Sequence, residues 1–301
     1  AEVDHLRLAV DLGELLGNEL PFTFRGYSTS FEKVADESGT LLLKEAYSRP
    51  IKHRVQIHTI NRFVLEYCGI DLQRGPTVRD WLTVPELKLR TLVAGAVFHD
   101  GLNELESMRR KVAYYPHDIW LYLLSAQWQR IGQEAPFVGR AEVVGDELGS
   151  TIIAARLVRD LMRLCFLLER QYVPYAKWYG TAFSHLACAP RLLPILTETL
   201  QSSQWQARER HLAEAYETVA TMHNELGITE PVLAATAQFY DRPFQVIDGE
   251  RIARLTWEAI RDVEVRSLPF GVGKVEQYVD STDILSHQER YRRLGDLYTG
   301  S

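Results

Sequence analysis

The chain has 301 residues, of which 46% are hydrophobic and 25% charged, and its formal net charge is −6 at pH 7. This composition excludes a disordered or fibrous protein and is typical of a globular protein with one large core or two modest ones. The acidic balance disfavours indiscriminate nucleic-acid binding, because long phosphate backbones are held by an excess of lysine and arginine. A local basic site is still compatible with it.

Neither the N-terminal residues nor the cysteines indicate export or a membrane span. The opening AEVDHLRLAVDLGELLGNEL carries acidic groups through its apolar run, unlike a signal peptide, and no apolar stretch approaches the roughly 18 residues that a membrane span needs. Cys68, Cys165 and Cys188 are scattered and form no CxxC pair, which argues against a disulfide framework or a zinc site. We expect a cytoplasmic protein with reduced thiols and no membrane partner.

The first 80 residues mix two kinds of periodicity. Apolar residues recur at mostly helical spacing over residues 2–19, which predicts a helix. The segments FTFRGYST (22–29) and HRVQIHTI (53–60) alternate and are rich in aromatic and β-branched residues, with an apolar LLL at 41–43 between them. We therefore predict two or three strands and part of an α/β unit.

After the turn-forming LQRGPTV the pattern becomes almost entirely helical. We predict an α+β fold that is predominantly α, with a partial α/β domain over residues 1–80 and a helical bundle over residues 81–301. Asp146 and Asp248 are predicted to cap the helices that follow them. Helices are expected near residues 84–97, 101–113, 117–132, 147–171, 175–187, 190–201, 205–226, 248–262 and 285–298.

The long helix predicted over residues 147–171 carries a narrow basic face. On a helical wheel Arg156, Arg159, Arg163 and Arg170 fall within an arc of about 60°, while apolar residues cover most of the remainder. One interpretation is an internal ion-pair network with acidic residues on or before the helix. The other is a cavity wall that binds an anion, because guanidinium groups suit phosphate oxygens.

The segments directly before and after this helix also contain candidate functional features. Residues 130–150 contain four glycines between strong helical patterns and predict a loop of about a dozen residues, although no GxxxxGK[ST] or GxGxxG spacing is present. The segment RQYVPYAKWYG places Lys177 among aromatic rings where a new helix is predicted after Pro174. Lys177 and Trp178 are therefore candidates for binding a flat anionic ligand.

Two acidic motifs suggest metal sites, but each has a more ordinary interpretation. His99 and Asp100 match the paired residues of HD phosphohydrolases without evident partner ligands, so a capping pair at a helix end is favoured. Asp280 and Asp283 lie at a predicted helix entry, where an N-cap by Ser281 or Asp283 is the favoured interpretation.

Three blocks carry a family resemblance: YPHDIWLYLLSAQWQRIGQEAPFVGR, VGDELGSTIIAARLVRDLMRLCFLLERQYVPYAKWYGTAF and YVDSTDIL. Together they resemble a bacterial family of nucleotidyltransferase-like proteins with a helical C-terminal domain of unknown function. Its architecture is similar to that of aminoglycoside nucleotidyltransferases, with an α/β core followed by a helical bundle. The resemblance runs from about residue 24 to the end of the chain.

The resemblance implies transfer of a nucleoside monophosphate from a nucleoside triphosphate to the hydroxyl of a small-molecule acceptor. In such enzymes a Gly-Ser turn and paired strand-borne aspartates hold Mg²⁺ against the triphosphate. The chain departs from that pattern, because no such turn and aspartate pair occurs before residue 24. Either the metal-binding segment precedes residue 1 or the site has been lost.

Within the helical part, residue type and clustering indicate which side chains would serve such a reaction. A general base is expected among Glu134, Asp146 and Glu147. Phosphate or nucleotide contacts are expected from Arg140, Arg156, Arg159, Arg163, Lys177 and Trp178. A second hypothesis is a non-catalytic or regulatory protein that binds a nucleotide or a small acidic ligand without turnover.

Overall fold

The computed structural model describes residues 2–35 and 39–298. Within these ranges helices dominate, and the strands form separate two-stranded antiparallel hairpins. The prediction of an α+β fold that is predominantly α is therefore confirmed. The chain divides into two compact units, Ala1–Glu66 and Tyr67–Ser301, whereas the sequence pattern placed the boundary after residue 80.

Among the described residues, the first unit contains an N-terminal helix, two hairpins and most of a second helix. The predicted N-terminal helix is present as α1 (Glu2–Glu19). The segment predicted as one strand over residues 22–29 is instead a hairpin, because Arg25 and Gly26 both have positive φ and reverse the chain in two residues. The strands of this unit are β1 (Thr23–Phe24), β2 (Tyr27–Ser28), β3 (Phe31–Ala35) and β4 (Leu41–Glu45).

The strand predicted over residues 53–60 is wrong. Arg54 has a φ of 58°, and the backbone N–H of Val55 donates to the His53 ring at 3.0 Å, so the chain turns where an extended strand was expected. Residues 51–59 have no regular structure, and α2 (Ile60–Cys68) follows. Alternating β-branched residues therefore did not suffice for strand formation without a partner strand.

The second unit is a helical assembly with one small hairpin formed by β5 (Ala237–Gln238) and β6 (Gln245–Val246). Two 3-10 helices, Ala176–Trp178 and Arg292–Tyr298, complete it. Its α-helices are α3 (Val78–Thr83), α4 (Glu86–Val93), α5 (Glu104–Lys111), α6 (His117–Glu134), α7 (Phe137–Val143), α8 (Glu147–Leu168), α9 (Tyr179–Phe183), α10 (Ala189–Gln201), α11 (Trp205–Glu225), α12 (Gly249–Glu258), α13 (Val263–Arg266), α14 (Val275–Tyr278), α15 (Thr282–Ser286) and α16 (Gln288–Tyr291).

The core of the second unit forms around α6 and α8. Trp120 and Trp128 of α6 are fully buried, as their helical spacing predicted. The Trp120 indole N–H donates to the carbonyl of Leu167 at 2.8 Å, which satisfies its polar atom within the core. The Ser125 hydroxyl donates to the carbonyl of Ala253 at 2.7 Å and ties α6 to α12.

Several local predictions are confirmed and others are wrong. The Asp146 and Asp248 side chains accept from backbone N–H groups at the starts of α8 and α12, as expected of N-caps. The predicted loop over residues 130–150 is wrong in part, because α6 continues to Glu134 and α7 begins after Pro136. Arg170 lies beyond the end of α8 with a φ of 53°, so it does not belong to the basic face of that helix.

Candidate functional site

A cavity of about 580 Å³, called the main cavity below, lies within the second unit. Its walls come from three parts of the chain: residues 67–88, residues 159–179, and residues 276–286. Apolar and aromatic side chains form most of the surface, among them Pro85, Leu87, Val173, Pro174, Tyr175, Tyr179 and Leu285. Such walls, with a few polar groups between them, are typical of small-molecule sites.

Arg163 and Glu86 form a buried ion pair beside the main cavity. The Arg163 guanidinium donates to Glu86 Oε1 at 2.9 Å, and both side chains are less than a tenth exposed. The backbone N–H of Val173 donates to Glu86 Oε2 at 2.7 Å. Each Glu86 oxygen is thus satisfied, and the pair holds α4, α8 and the start of the Val173–Pro174 wall together.

Glu276 and Lys274 extend this buried network. Glu276 Oε2 accepts from the backbone N–H of Glu86 at 2.7 Å and lies 3.7 Å from the Lys274 ammonium. Lys274 is fully buried and donates to the carbonyls of Trp81 and Val84 at the end of α3. Burial lowers the pKa of Lys274 and raises the pKa of Glu276. A carboxyl whose pKa is raised by burial therefore lines the main cavity.

Lys88 lies half-buried in the main cavity with a different set of contacts. Its ammonium donates to the carbonyl of Tyr67 at 2.6 Å and lies 4.5 Å from the centroid of the Tyr67 ring. Among the described residues no carboxylate lies within ion-pair distance of it. Burial lowers the pKa of Lys88, and an anion beside the ammonium would offset that effect.

A second cavity of about 310 Å³, called the polar cavity below, shares part of its wall with the main cavity. Arg159, Glu276, Val279 and Asp280 line both, so these residues mark the junction. Arg159 pairs with Asp280 at 3.2 Å, and both side chains are at least half exposed. The basic face of α8 therefore runs along both cavities.

The other two arginines that line the polar cavity, Arg130 and Arg156, are also ion-paired. Arg156 donates to Glu134 Oε1 at 2.6 Å, and Arg130 donates to Asp160 Oδ2 at 2.7 Å. Burial raises the pKa of Glu134, and its two arginine neighbours lower it in part. The arginines of the basic face, Arg156, Arg159 and Arg163, are thus ion-paired and also line a cavity.

Other predicted site residues lie apart from both cavities. Asp146 caps α8, and Glu147 pairs with Arg208 at the same end of that helix. Arg140 is exposed on α7, and its guanidinium lies 5.4 Å from the centroid of the neighbouring Phe137 ring. None of these three residues lines the main cavity or the polar cavity.

Lys177 and Trp178 lie next to the main cavity without lining it. Both are exposed on the 3-10 helix, and the Lys177 ammonium lies 5.4 Å from the centroid of the Trp178 ring. Their neighbours Tyr175 and Tyr179 line the cavity instead. The 3-10 turn places these two tyrosines on the cavity side, where a regular helix had been expected.

Sequence reasoning missed Lys88, Glu86 and Glu276 as site residues. Glu86 follows Pro85 at a helix start and resembles an ordinary first-turn acid, and Glu276 lies almost two hundred residues away. Lys88 is one of only seven lysines in the chain, and this scarcity was the one signal for it in the sequence. Asp280 was singled out, although as a candidate metal ligand rather than as an arginine partner.

The described residues do not fit the magnesium site that the resemblance implies. No group of three or more histidine, cysteine, aspartate or glutamate side chains among them is arranged to hold a metal ion. Asp100 instead accepts backbone N–H groups at the start of α5, as a cap does.

No helix in residues 2–35 and 39–298 is both long and apolar enough to cross a membrane.

Comparison with known proteins identifies one part of the second unit. Residues 81–179, from the end of α3 to the 3-10 helix, match the family described as Domain of unknown function (DUF4037). The matched region contains Lys88, Arg159 and Arg163 of the main cavity and excludes Glu276 and Asp280. No curated protein and no solved structure is similar enough to match the chain.

Proposed function

We propose that the second unit binds a small molecule that carries a ring and an anionic group, such as a nucleotide, in the main cavity. The observation that carries the proposal is Lys88, a half-buried cation without a carboxylate partner among the described residues, in a cavity with aromatic walls. A ligand anion would replace the solvation that burial removes from the ammonium. Tyr175 and Tyr179 offer faces on which a base can pack.

Calorimetric titration with ATP, GTP, CTP and UTP, each with and without Mg²⁺, tests the binding. Lys88→Met keeps the length of the side chain and removes its charge, and we expect it to weaken nucleotide binding by roughly ten- to a hundredfold. Lys111→Met is the matched control, because Lys111 is exposed on α5 and does not line the cavity. Equal affinities of wild type and Lys88→Met, or no nucleotide binding at all, would contradict the proposal.

The same titration tests the earlier prediction for Lys177. Lys177→Met should weaken binding less than Lys88→Met, because Lys177 does not line the main cavity and its ammonium lies over the Trp178 and Tyr175 rings. A loss as large as that of Lys88→Met would instead assign the anion to the exposed 3-10 helix.

Nucleotidyl transfer to an acceptor hydroxyl is the second candidate function, favoured by the resemblance of the helical blocks. The described residues supply cations and a buried carboxyl but no magnesium site, so transfer requires further carboxylates. Release of pyrophosphate from a bound triphosphate in the presence of Mg²⁺ would support transfer. Binding without release would support the non-catalytic alternative.

A further inference from the structure

The polar cavity differs from the main cavity in the balance of its charges. Its lining includes three arginines, Arg130, Arg156 and Arg159, and three acidic residues, Asp160, Glu276 and Asp280. Each arginine is paired with a carboxylate, and the partner of Arg156 is a further acid, Glu134. A polyphosphate would have to displace these carboxylates, because like charges close together repel each other.

A hydroxyl group fits such a lining without disturbing the pairs. Guanidinium groups only donate hydrogen bonds and ionised carboxylates only accept them, whereas a hydroxyl does both. One hydroxyl can therefore accept from an arginine and donate to its carboxylate partner at the same time. The half-exposed Arg159–Asp280 pair offers this combination where the polar cavity meets the main cavity.

Glu276 adds an acceptor at the same place. One of its carboxyl oxygens accepts from the Glu86 backbone, and the other accepts no hydrogen bond from the described residues. The side chain lines both cavities. The junction thus presents a donor and two acidic side chains to any molecule that extends from one cavity into the other.

We propose that the polar cavity and its junction recognise neutral hydroxyl groups, so that the ligand of the main cavity is attached to a sugar or another polyol. This inference rests on the proposed function for the ring and the anion, and it names a separate part of the ligand. The polar cavity, at about 310 Å³, provides room for a hydroxylated group beside the main cavity.

Removal of the ligand's hydroxyls tests the inference. In calorimetry the wild-type chain should bind ATP at least tenfold more tightly than 2′,3′-dideoxy-ATP, because hydrogen bonds from hydroxyls to charged groups are strong. Equal affinities for the two nucleotides would overturn the inference and leave the proposed function standing. A second result would also overturn the inference: the wild-type chain binds inorganic triphosphate, and Arg156→Gln weakens that binding. The polar cavity would then be a phosphate site.

Asp280→Asn is the corresponding change in the protein, and it is compatible with folding because the Asp280 side chain is 75% exposed. It should reduce ATP affinity towards that of dideoxy-ATP and leave the dideoxy-ATP affinity unchanged. Asp283→Asn is the matched control, since Asp283 is exposed three residues away and lines neither cavity. An equal loss for both nucleotides in Asp280→Asn would overturn the hydroxyl assignment.

If no nucleotide binds, the proposed function fails and neutral polyols decide this inference separately. Saturation-transfer NMR with methyl glucoside and inositol at millimolar concentration then provides the readout. A signal that Asp280→Asn abolishes and Asp283→Asn preserves would sustain the inference. Absence of a signal from both polyols would overturn it.

Discussion

At the scale of single residues, Glu86 looks like an ordinary acidic residue in the first turn of a helix, yet it connects several parts of the structure. Its side chain accepts from Arg163 of α8 and from the backbone of Val173, and its own N–H donates to Glu276. Three distant parts of the chain thus meet at one residue. A buried charge that loses its partner is costly, whereas the intact pair roughly offsets its own desolvation.

Glu86→Gln should lower the free energy of unfolding by about 3–5 kcal/mol, because it leaves the Arg163 charge buried without its counter-charge. Urea denaturation measures the change. Glu250→Gln is the control, since the Glu250–Arg254 pair is about 60% exposed on both sides and should contribute less than about 0.5 kcal/mol. A loss below about 1 kcal/mol for Glu86→Gln would indicate that cavity water stabilises Arg163.

His223 is the second residue whose environment makes a quantitative prediction. It is fully buried, and its Nδ1 accepts from the Trp128 indole N–H at 3.2 Å, which requires an unprotonated Nδ1. Burial lowers the pKa of His223 to about 4 from an ordinary 6.5. The unfolded chain therefore takes up a proton below pH 6.5, whereas the folded chain does so only near pH 4.

This difference predicts that the free energy of unfolding falls as the pH decreases from 6.5 to 4, by roughly 3 kcal/mol from this group, and that its contribution levels off below pH 4. Urea denaturation across this range provides the measurement. His223→Gln should lose that part of the slope, and His211→Gln on the same helix should retain it. An unchanged slope in His223→Gln would contradict the assignment.

At the scale of elements, the crossing of α6 and α12 depends on two glycines. A Cβ added to Gly132 would lie 2.8 Å from the backbone nitrogen of Glu250, and one added to Gly249 would lie 2.7 Å from the carbonyl oxygen of Trp128. Both obstacles are backbone atoms, which cannot rotate away. The two helices thus pack closely because neither carries a side chain at this point.

Gly132→Ala should destabilise the second unit by more than about 2 kcal/mol, although alanine alone favours a helix by about 1 kcal/mol over glycine. Thermal or urea unfolding tests this. Gly180→Ala is the matched control, because a Cβ there would meet no atom within 4 Å, so that variant should be neutral or slightly more stable. Equal stability of the two variants would show that the helices separate without cost.

At the scale of the whole molecule, the main cavity is assembled from parts that lie far apart in sequence. Residues 67–88, 159–179 and 276–286 each contribute a portion of its wall, and the Glu86 network joins all three. A ligand that contacts these walls stabilises the folded state of the unit over its unfolded state. A bound ligand should therefore stabilise the folded backbone in all three segments and not in one helix alone.

Hydrogen exchange measured by mass spectrometry, with and without ATP at 100 times its dissociation constant, tests this expectation. Protection should rise in all three segments together, and the global stabilisation should approach about 2.7 kcal/mol. Peptides from α5, which lines neither cavity, report only the global part of the change. Protection confined to residues 175–180 would point to the exposed 3-10 helix as the binding site.

The sequence by itself determined the predominance of helices, the approximate positions of α1, α6, α8, α10 and α11, and the caps at Asp146 and Asp248. These features depend on interactions within a few residues, namely hydrophobic periodicity and side-chain caps, which the sequence records directly. The basic face of α8 was also readable, because helical geometry fixes which side chains share a face.

Only the tertiary structure decided which partners those side chains meet. The strand expected at residues 53–60 did not form, since strand formation depends on a partner that periodicity does not reveal. Arg163 pairs with Glu86 and Arg159 pairs with Asp280, and Lys88 of another helix lines the same cavity. The residues that meet in these contacts lie up to about two hundred positions apart in the sequence. Burial, charge pairing and cavity shape are properties of such long-range contacts, so the candidate site emerged from the packing of the helices.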